Sequence, residues 1–170
     1  VGVLSTELCL VYPEVSAACL EPNGTARGIG RERAIEHGLE DRIEFLSIGV
    51  EELETSAGYD LALIPQPFLD PASFDAGARR VLRALRPGGW LLVLALNVPE
   101  NDELTAASQR VRARLWGGGA VGADELIDRL DRIGYACSRA HPPVGAYRMF
   151  AAQRGTGGGD ERAAVQTRAA

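Results

Sequence analysis

The sequence of 170 residues is 46% hydrophobic and 24% charged, which suffices for one core of ordinary size and predicts a single α/β domain. The formal net charge of -5 disfavours a nucleic-acid partner, because that binding depends on cations that neutralise phosphates. All 18 basic residues are arginine, which excludes a catalytic lysine. No apolar run approaches the roughly 20 residues that span a bilayer. We therefore expect a cytoplasmic protein without a membrane partner.

The first part of the chain alternates between helical patterns and short apolar runs. Residues 3–11 carry apolar side chains at helical spacing, and residues 15–20 form a compact run that predicts a strand. That strand delivers Glu21 and Pro22 to a turn. Thr25 then caps a predicted helix that ends near His37, with Gly38 as the residue after its last turn. Residues 42–46 predict the next strand, and residues 50–53 predict one helical turn.

The middle of the chain predicts a βαβ unit. Residues 59–64 and 90–95 are short continuous apolar runs, as in strands covered on both faces, and residues 72–86 can form the crossover helix. The segment 86–89, Arg-Pro-Gly-Gly, predicts a turn into the second strand. Ligands of parallel sheets bind outside the carboxyl ends of the strands. Pro65 and Gln66 therefore lie where a binding site is expected.

The last part of the chain predicts two helices and a hairpin. Residues 102–115 and 123–133 have helical patterns, and the glycines 117–119 between them are either a flap over a substrate or a plain linker. Residues 135–140 and 146–152 predict strands whose short connection makes them antiparallel. The polar, glycine-rich residues 155–170 predict a disordered tail.

Cysteine and histidine residues give no sign of a metal site. Cys9, Cys19 and Cys137 lie too far apart for a metal-binding pair and are interpreted as structural thiols of a reducing compartment. His37 is interpreted as a solvated residue at a helix end and His141 as a turn residue, without a nearby cluster of ligands. We expect no bound metal.

Three segments in a fixed order carry a family resemblance: the strand end at residues 20–23, the run 59–68, and residues 82–94 with their Arg-Pro-Gly-Gly turn. Together with the closing hairpin, they resemble a class I S-adenosylmethionine-dependent methyltransferase over about residues 1–154. The resemblance implies a Rossmann-like α/β sheet that is mostly parallel and has a C-terminal antiparallel hairpin. The resemblance also implies S-adenosylmethionine as the cofactor.

The resemblance also implies roles for individual residues. Glu21, at the end of the second strand of the family, would accept hydrogen bonds from the ribose hydroxyls, with Pro22 beside it. The alternative for Glu21 is a solvated acid at a strand end. Gly2 corresponds to the last glycine of the loop that lets the backbone approach the methionine part of the cofactor. Pro65 and Gln66 would border the cofactor and substrate cavity.

The sequence departs from the family at two places. The first, central strand and most of its glycine-rich loop are not in the sequence, which leads us to expect a fragment of a longer chain. The acid that often receives the adenine amino group is replaced by Gly49. Val50 can still pack against the adenine ring, whereas Glu51 follows the expected position by two residues and is a weak substitute.

The expected function is methyl transfer to a small-molecule acceptor. One alternative is a non-catalytic remnant or regulatory module with the same fold, and another is a nucleotide-linked oxidoreductase, which does not account for the hairpin. Methyl transfer depends mainly on proximity and alignment, so the sequence identifies no catalytic residue. The acceptor and the oligomeric state are also not given by the sequence.

Overall fold

The computed structural model describes residues 2–99 and 101–156. The chain forms two compact units, an N-terminal unit that ends at Leu53 and a C-terminal unit that begins at Glu54. The expected single domain over residues 1–154 stays a prediction. The expected disordered tail lies, from residue 157 onward, outside the described residues. No helix within the described ranges is long and apolar enough to pass through a membrane.

The N-terminal unit pairs two parallel strands with two helices. Its elements are helix α1 (Val3–Val11), strand β1 (Ala17–Leu20), helix α2 (Gly24–Glu36), strand β2 (Ile43–Leu46) and a 3-10 turn (Val50–Glu52). The two strands run in register, with Leu20 opposite Leu46 at their carboxyl ends. Each predicted element of this unit is confirmed, with shifts of one or two residues at its ends.

The start of α2 differs from the prediction that Thr25 caps the helix. Asn23 is the capping residue, because its side-chain oxygen accepts a hydrogen bond of 3.0 Å from the N–H of Ala26. Asparagine is among the preferred residues at this position. At the other end, Gly38 has a φ of 64°, as expected for the residue that follows a helix.

The core of the N-terminal unit lies between its two helices and its strands. It contains Cys9 of α1, Ala34 of α2, Leu39, Ile43 and Phe45. These side chains are excluded from water, which is the main source of stability in a unit of this size.

The C-terminal unit contains a four-stranded sheet. Its elements are strand β3 (Tyr59–Pro65), a 3-10 turn (Gln66–Phe68), helix α3 (Pro71–Ala84), strand β4 (Leu85–Leu96), helix α4 (Glu103–Leu115), helix α5 (Ala123–Ile133), strand β5 (Ala136–Ala140) and strand β6 (Tyr147–Gln153). The strand order is β3-β4-β6-β5. Strands β3 and β4 are parallel, and β6 is antiparallel to both β4 and β5. The βαβ unit and the closing hairpin are thereby confirmed.

The prediction of a turn at residues 86–89 is wrong, because these residues belong to a strand. Strand β4 begins at Leu85 and continues through this segment, with a register shift against β3. Gly88 adopts a φ of 80°, and its N–H donates to the carbonyl of Arg154 at 2.9 Å. Because the residue that follows β6 supplies this partner, the glycines form an irregular part of the strand. Pairing across the sheet therefore overrides the local turn signal.

The core of the C-terminal unit lies where α3 and α5 contact each other and the sheet. Its largest fully buried side chains include Phe74, Leu91, Leu126, Leu130 and Phe150. Tyr135 is also buried, and its hydroxyl donates to the carbonyl of Ala78 at 2.9 Å. Burial raises the pKa of the Tyr135 phenol, so this hydroxyl stays protonated and remains a donor.

Candidate functional site

Glu21 lies at the edge of the N-terminal unit where β1 and β2 end side by side. Its N–H donates to the carbonyl of Leu46 at 3.0 Å, which continues the ladder by one residue. Its half-buried carboxylate accepts a hydrogen bond from the N–H of Asn23 through Oε1 at 2.9 Å. Within the described residues, no hydrogen bond reaches Oε2. One carboxylate oxygen is thus held in place while the other is available to a ligand.

Arg27 fixes the turn that follows Glu21. One of its Nη atoms donates to the carbonyl of Glu21 at 2.8 Å and to that of Pro22 at 3.3 Å. The side chain of Arg27 comes from the first turn of α2, and Asn23 caps the same helix. The turn that carries the predicted ribose-binding residue is therefore ordered by the chain itself.

Gly2 stands at the start of α1 in a conformation that favours glycine. Its φ is 72°, and a Cβ at this position would lie 3.2 Å from the ring of Phe45. The carbonyl of Gly2 accepts the hydrogen bond of the Thr6 N–H at 2.9 Å. Both the backbone conformation and the close ring explain why glycine occupies this site.

The 3-10 turn after β2 brings Glu51 back over Gly49. A Cβ at residue 49 would lie 2.7 Å from the carboxyl carbon of Glu51. The carboxylate of Glu51 thus occupies the space where a side chain of residue 49 would begin. Val50, in the same turn, is half-buried. A carboxylate is therefore present beside residue 49, contributed by a residue two positions later.

Pro65 and Gln66 lie at the carboxyl end of β3 in the C-terminal unit. Pro65 is the last residue of the strand, and Gln66 begins the 3-10 turn. Gln66 is only 2% exposed, and its side-chain N–H donates to the carbonyl of Gly119 at 2.8 Å. The amide nitrogen of Gln66 thus connects the end of β3 to the glycine segment, a contact that the sequence did not predict.

The glycine segment 117–119 is neither the free flap nor the plain linker that the sequence predicted. The N–H of Gly118 donates to the carbonyl of Pro67 at 3.1 Å. Trp116 stacks on Phe68, with ring centroids 5.2 Å apart. These contacts pack the segment against the turn that follows β3.

A large cleft lies beyond the end of β4, and the sequence did not predict it. It has a volume of about 1180 Å³ and is open to solvent. Charged and polar residues that line it include Asn97, Asp102, Glu103, Arg110, Glu125 and Arg148. The only sequence signal for it was the expectation that sites lie at the carboxyl ends of strands.

Known proteins with similar sequences are methyltransferases. A ubiquinone/menaquinone biosynthesis C-methyltransferase from Brucella anthropi is 37% identical over 82 residues, covering 48% of this chain and 31% of that protein. The enzyme of the same name from Hahella chejuensis is 31% identical over 99 residues, covering 58% and 40%. The chain thus spans less than half the length of these curated relatives. No family model matches the chain.

Solved structures with the same fold cover most of the chain. The mitomycin 7-O-methyltransferase MmcR superposes with a TM-score of 0.78 at 24% identity, covering 90% of this chain and 46% of that one. The chain thus has the fold of the class I S-adenosylmethionine-dependent methyltransferases. PigF with SAH is a second example from this fold family, with a TM-score of 0.73 at 22% identity and coverage of 90% and 47%. The expected Rossmann-like α/β fold is confirmed, while a strand before residue 1 stays a prediction.

Proposed function

We propose that the protein transfers a methyl group from S-adenosylmethionine to a small-molecule acceptor. The observation that carries this proposal is the carboxylate of Glu21, which stands at the end of β1 with Oε1 held by Asn23 and Oε2 available. The relatives support the reaction class, because one is named as a C-methyltransferase and a structural neighbour as an O-methyltransferase. The acceptor atom would be a carbon, an oxygen or a nitrogen, and these two names are of enzymes that methylate carbon and oxygen.

Glu21 would bind the ribose of the cofactor. A carboxylate can accept hydrogen bonds from both hydroxyls of a ribose, and such charge-assisted bonds are among the stronger ones. Because Arg27 and Asn23 already order the turn, little conformational entropy is lost when the ribose binds. Pro22 would border the same part of the cofactor, and the backbone at Gly2 would face its methionine part.

The 3-10 turn after β2 would bind the adenine. Its Glu51 carboxylate lies over Gly49, where an acid of this family often receives the adenine amino group. Glu51 would accept that hydrogen bond from its shifted position, and half-buried Val50 would pack against the ring. The shifted acid supports the role of Glu51 better than the sequence alone did.

Pro65 and Gln66 would border the region where the methyl group is transferred. The amide nitrogen of Gln66 is engaged with Gly119, so its contribution would come from the backbone and from the rigidity of the turn. The cofactor supplies an electrophilic methyl group, and the acceptor attacks it in line as the sulfonium becomes a thioether. Catalysis then rests on proximity and orientation, with a general base needed only where the acceptor carries a proton.

The two alternatives from the sequence gain no support from the comparisons. The curated relatives reported above are named as methyltransferases, and neither name includes a nicotinamide or flavin reaction. The non-catalytic module rests on the loss of most of the glycine-rich loop and on the missing acid at residue 49. The carboxylate of Glu51 beside Gly49 argues against the second of these points.

Isothermal titration calorimetry of the full natural protein with S-adenosylhomocysteine tests the proposal. We expect saturable binding, and we expect Glu21→Ala to weaken it at least about tenfold, which corresponds to about 1.4 kcal/mol. Glu32→Ala, at an exposed position of α2, is the matched control and should bind like the natural protein. Absence of binding by the natural protein would refute the proposed function. Equal affinity of the Glu21 and Glu32 variants would refute only the ribose-binding role.

A further inference from the structure

We propose that the cleft beyond β4 binds a carboxylate or phosphate group of the methyl acceptor through Arg148, with Arg110 as a second cation. This inference rests on the proposed function, because it names the substrate class of that reaction. Both arginines line the cleft, as does the apolar ring of Phe150. In α/β proteins, ligands bind beyond the carboxyl ends of the strands, and β4 ends at this cleft.

Arg148 carries a polar group that lacks a partner. Its Nε is shielded from solvent and makes no hydrogen bond with any of the described residues. Leaving such a donor buried without a partner costs about 1–3 kcal/mol, and more for a charged group. Water does not reach this Nε, so the side chain must turn towards the cleft before a ligand oxygen can accept its hydrogen bond. Relief of the unpaired donor favours that turn.

The position of Arg148 explains why it reaches the cleft. It lies on β6 opposite Ala95, one residue before β4 ends at Leu96. The sheet therefore holds the base of this side chain rigidly at the rim of the cleft. After that turn, the guanidinium can present its Nε and one Nη as a parallel pair of donors, which matches the geometry of a carboxylate or phosphate.

The acids of the cleft do not neutralise these arginines. Asp102 accepts two hydrogen bonds from Thr105, and Glu125 pairs with Arg129. In the described part of the chain, neither Arg110 nor Arg148 forms an ion pair, although three carboxylates line the same cleft. Because the acids oppose a general attraction for anions, binding must depend on directed contacts with the guanidinium groups. This arrangement favours one compact anionic group on a larger molecule.

NMR spectroscopy of the full natural protein, labelled with nitrogen-15, can test anion binding at Arg148 directly. A buried Arg Nε–H exchanges with water slowly enough to be observed. We would titrate the labelled protein with benzoate, with inorganic phosphate and with benzamide, a neutral analogue of benzoate. We expect the Arg148 Nε resonance to shift saturably with benzoate or phosphate and to stay in place with benzamide. The anion that binds more tightly identifies which of the two groups the acceptor carries.

A conservative variant separates the geometry of the guanidinium from its charge. Arg148→Lys keeps the positive charge but loses the paired donors, so we expect its affinity for the better anion to fall at least about tenfold. Arg132→Lys is the matched control, because Arg132 is exposed on α5 and does not line the cleft. It should bind the anion like the natural protein.

Several outcomes would overturn the inference: no shift with either anion, an equal shift with benzamide, or equal affinities of the two lysine variants. If Arg148→Lys fails to fold, the comparison of benzoate with benzamide in the natural protein is sufficient to test the inference. The calorimetric titration with S-adenosylhomocysteine on the same sample separates the two proposals. If the natural protein binds S-adenosylhomocysteine but neither anion, only this inference is rejected. If it binds an anion but not S-adenosylhomocysteine, the proposed methyl transfer is rejected and an anion site remains.

Discussion

The N–H of Gly118 donates to the carbonyl of Pro67 at 3.1 Å, so the segment after α4 is fastened to the turn after β3. A Cβ on Gly118 would lie 2.7 Å from the carbonyl carbon of Pro67 and 3.0 Å from the carbonyl oxygen of Gln66. Both atoms belong to the backbone and cannot move aside as the end of a side chain can. The close approach therefore requires glycine at residue 118.

We expect Gly118→Ala to lower the free energy of unfolding by about 1–3 kcal/mol, the usual cost of forcing extra atoms into a packed site. Gly119→Ala is the matched control, because no atom of the described residues lies within 4 Å of a Cβ there. Its effect should stay within about 0.5 kcal/mol. Urea unfolding of both variants measures the difference, and equal stabilities would contradict the docking of this segment.

A second pair of glycines tests the packing of α2 on β2 in the N-terminal unit. A Cβ on Gly30 would overlap the ring of Phe45, whereas a Cβ on Gly28 would meet no atom within 4 Å among the residues that the structure describes. We expect Gly30→Ala to destabilise the protein by about 1–3 kcal/mol. Gly28→Ala should instead stabilise it by about 0.4–1 kcal/mol, because alanine restricts the unfolded chain. Thermal unfolding that ranks the two variants in the opposite order would contradict this packing.

The three cysteines should react with iodoacetamide at different rates. Burial raises the pKa of the Cys19 thiol, so its reactive thiolate is scarce at pH 8 and becomes more abundant as the pH rises towards 10. We expect exposed Cys137 to be alkylated first, Cys19 later, and buried Cys9 only after unfolding. Mass spectrometry of timed samples at both pH values measures the order. Alkylation of Cys19 before Cys137 at pH 8 would show that the burial of Cys19 is wrong.

Asp102 should make a pH-dependent contribution to stability. The hydroxyl and N–H of Thr105 donate to its carboxylate and lower the pKa of Asp102. A lowered pKa in the folded state means that the contribution is complete above the ordinary value of 3.8 and is lost as the pH falls through the folded value. We therefore expect Asp102→Ala to lower the melting temperature at pH 7 and to have a smaller effect at pH 3.

The control for this prediction is Asp128→Ala, which removes an exposed carboxylate of α5. Its melting temperature should equal that of the natural protein or exceed it slightly, because alanine is the better helix former. Asp102 caps α4, because its side chain accepts a hydrogen bond from the N–H of Thr105. An Asp102 variant with the same effect at pH 3 and pH 7 would show that the ionised form of the carboxylate is not needed for this cap.

Local patterns in the sequence determined most of the fold. The apolar face of α5 and Gly134 after it predicted Ala123–Ile133 residue for residue. The apolar runs on either side of α3 predicted the parallel pair, and the short connection after residue 140 predicted the antiparallel hairpin. These predictions succeed because each depends on residues that are neighbours in the chain, where periodicity and turn chemistry act directly. Glu21 was placed correctly at a strand end for the same reason.

Contacts between distant residues were decided only by the tertiary structure. The glycines at 88 and 89 look like a turn until Arg154 pairs with them, and Gln66 looks like a cavity residue until its amide meets Gly119. Glu51 reaches the place of a missing acid because a 3-10 turn folds it back over Gly49. Likewise, the cleft of Arg110 and Arg148 joins side chains from α4 and β6. Hydrogen bonding and burial act through space, so the sequence determined which elements form, and the packing of those elements determined which side chains meet.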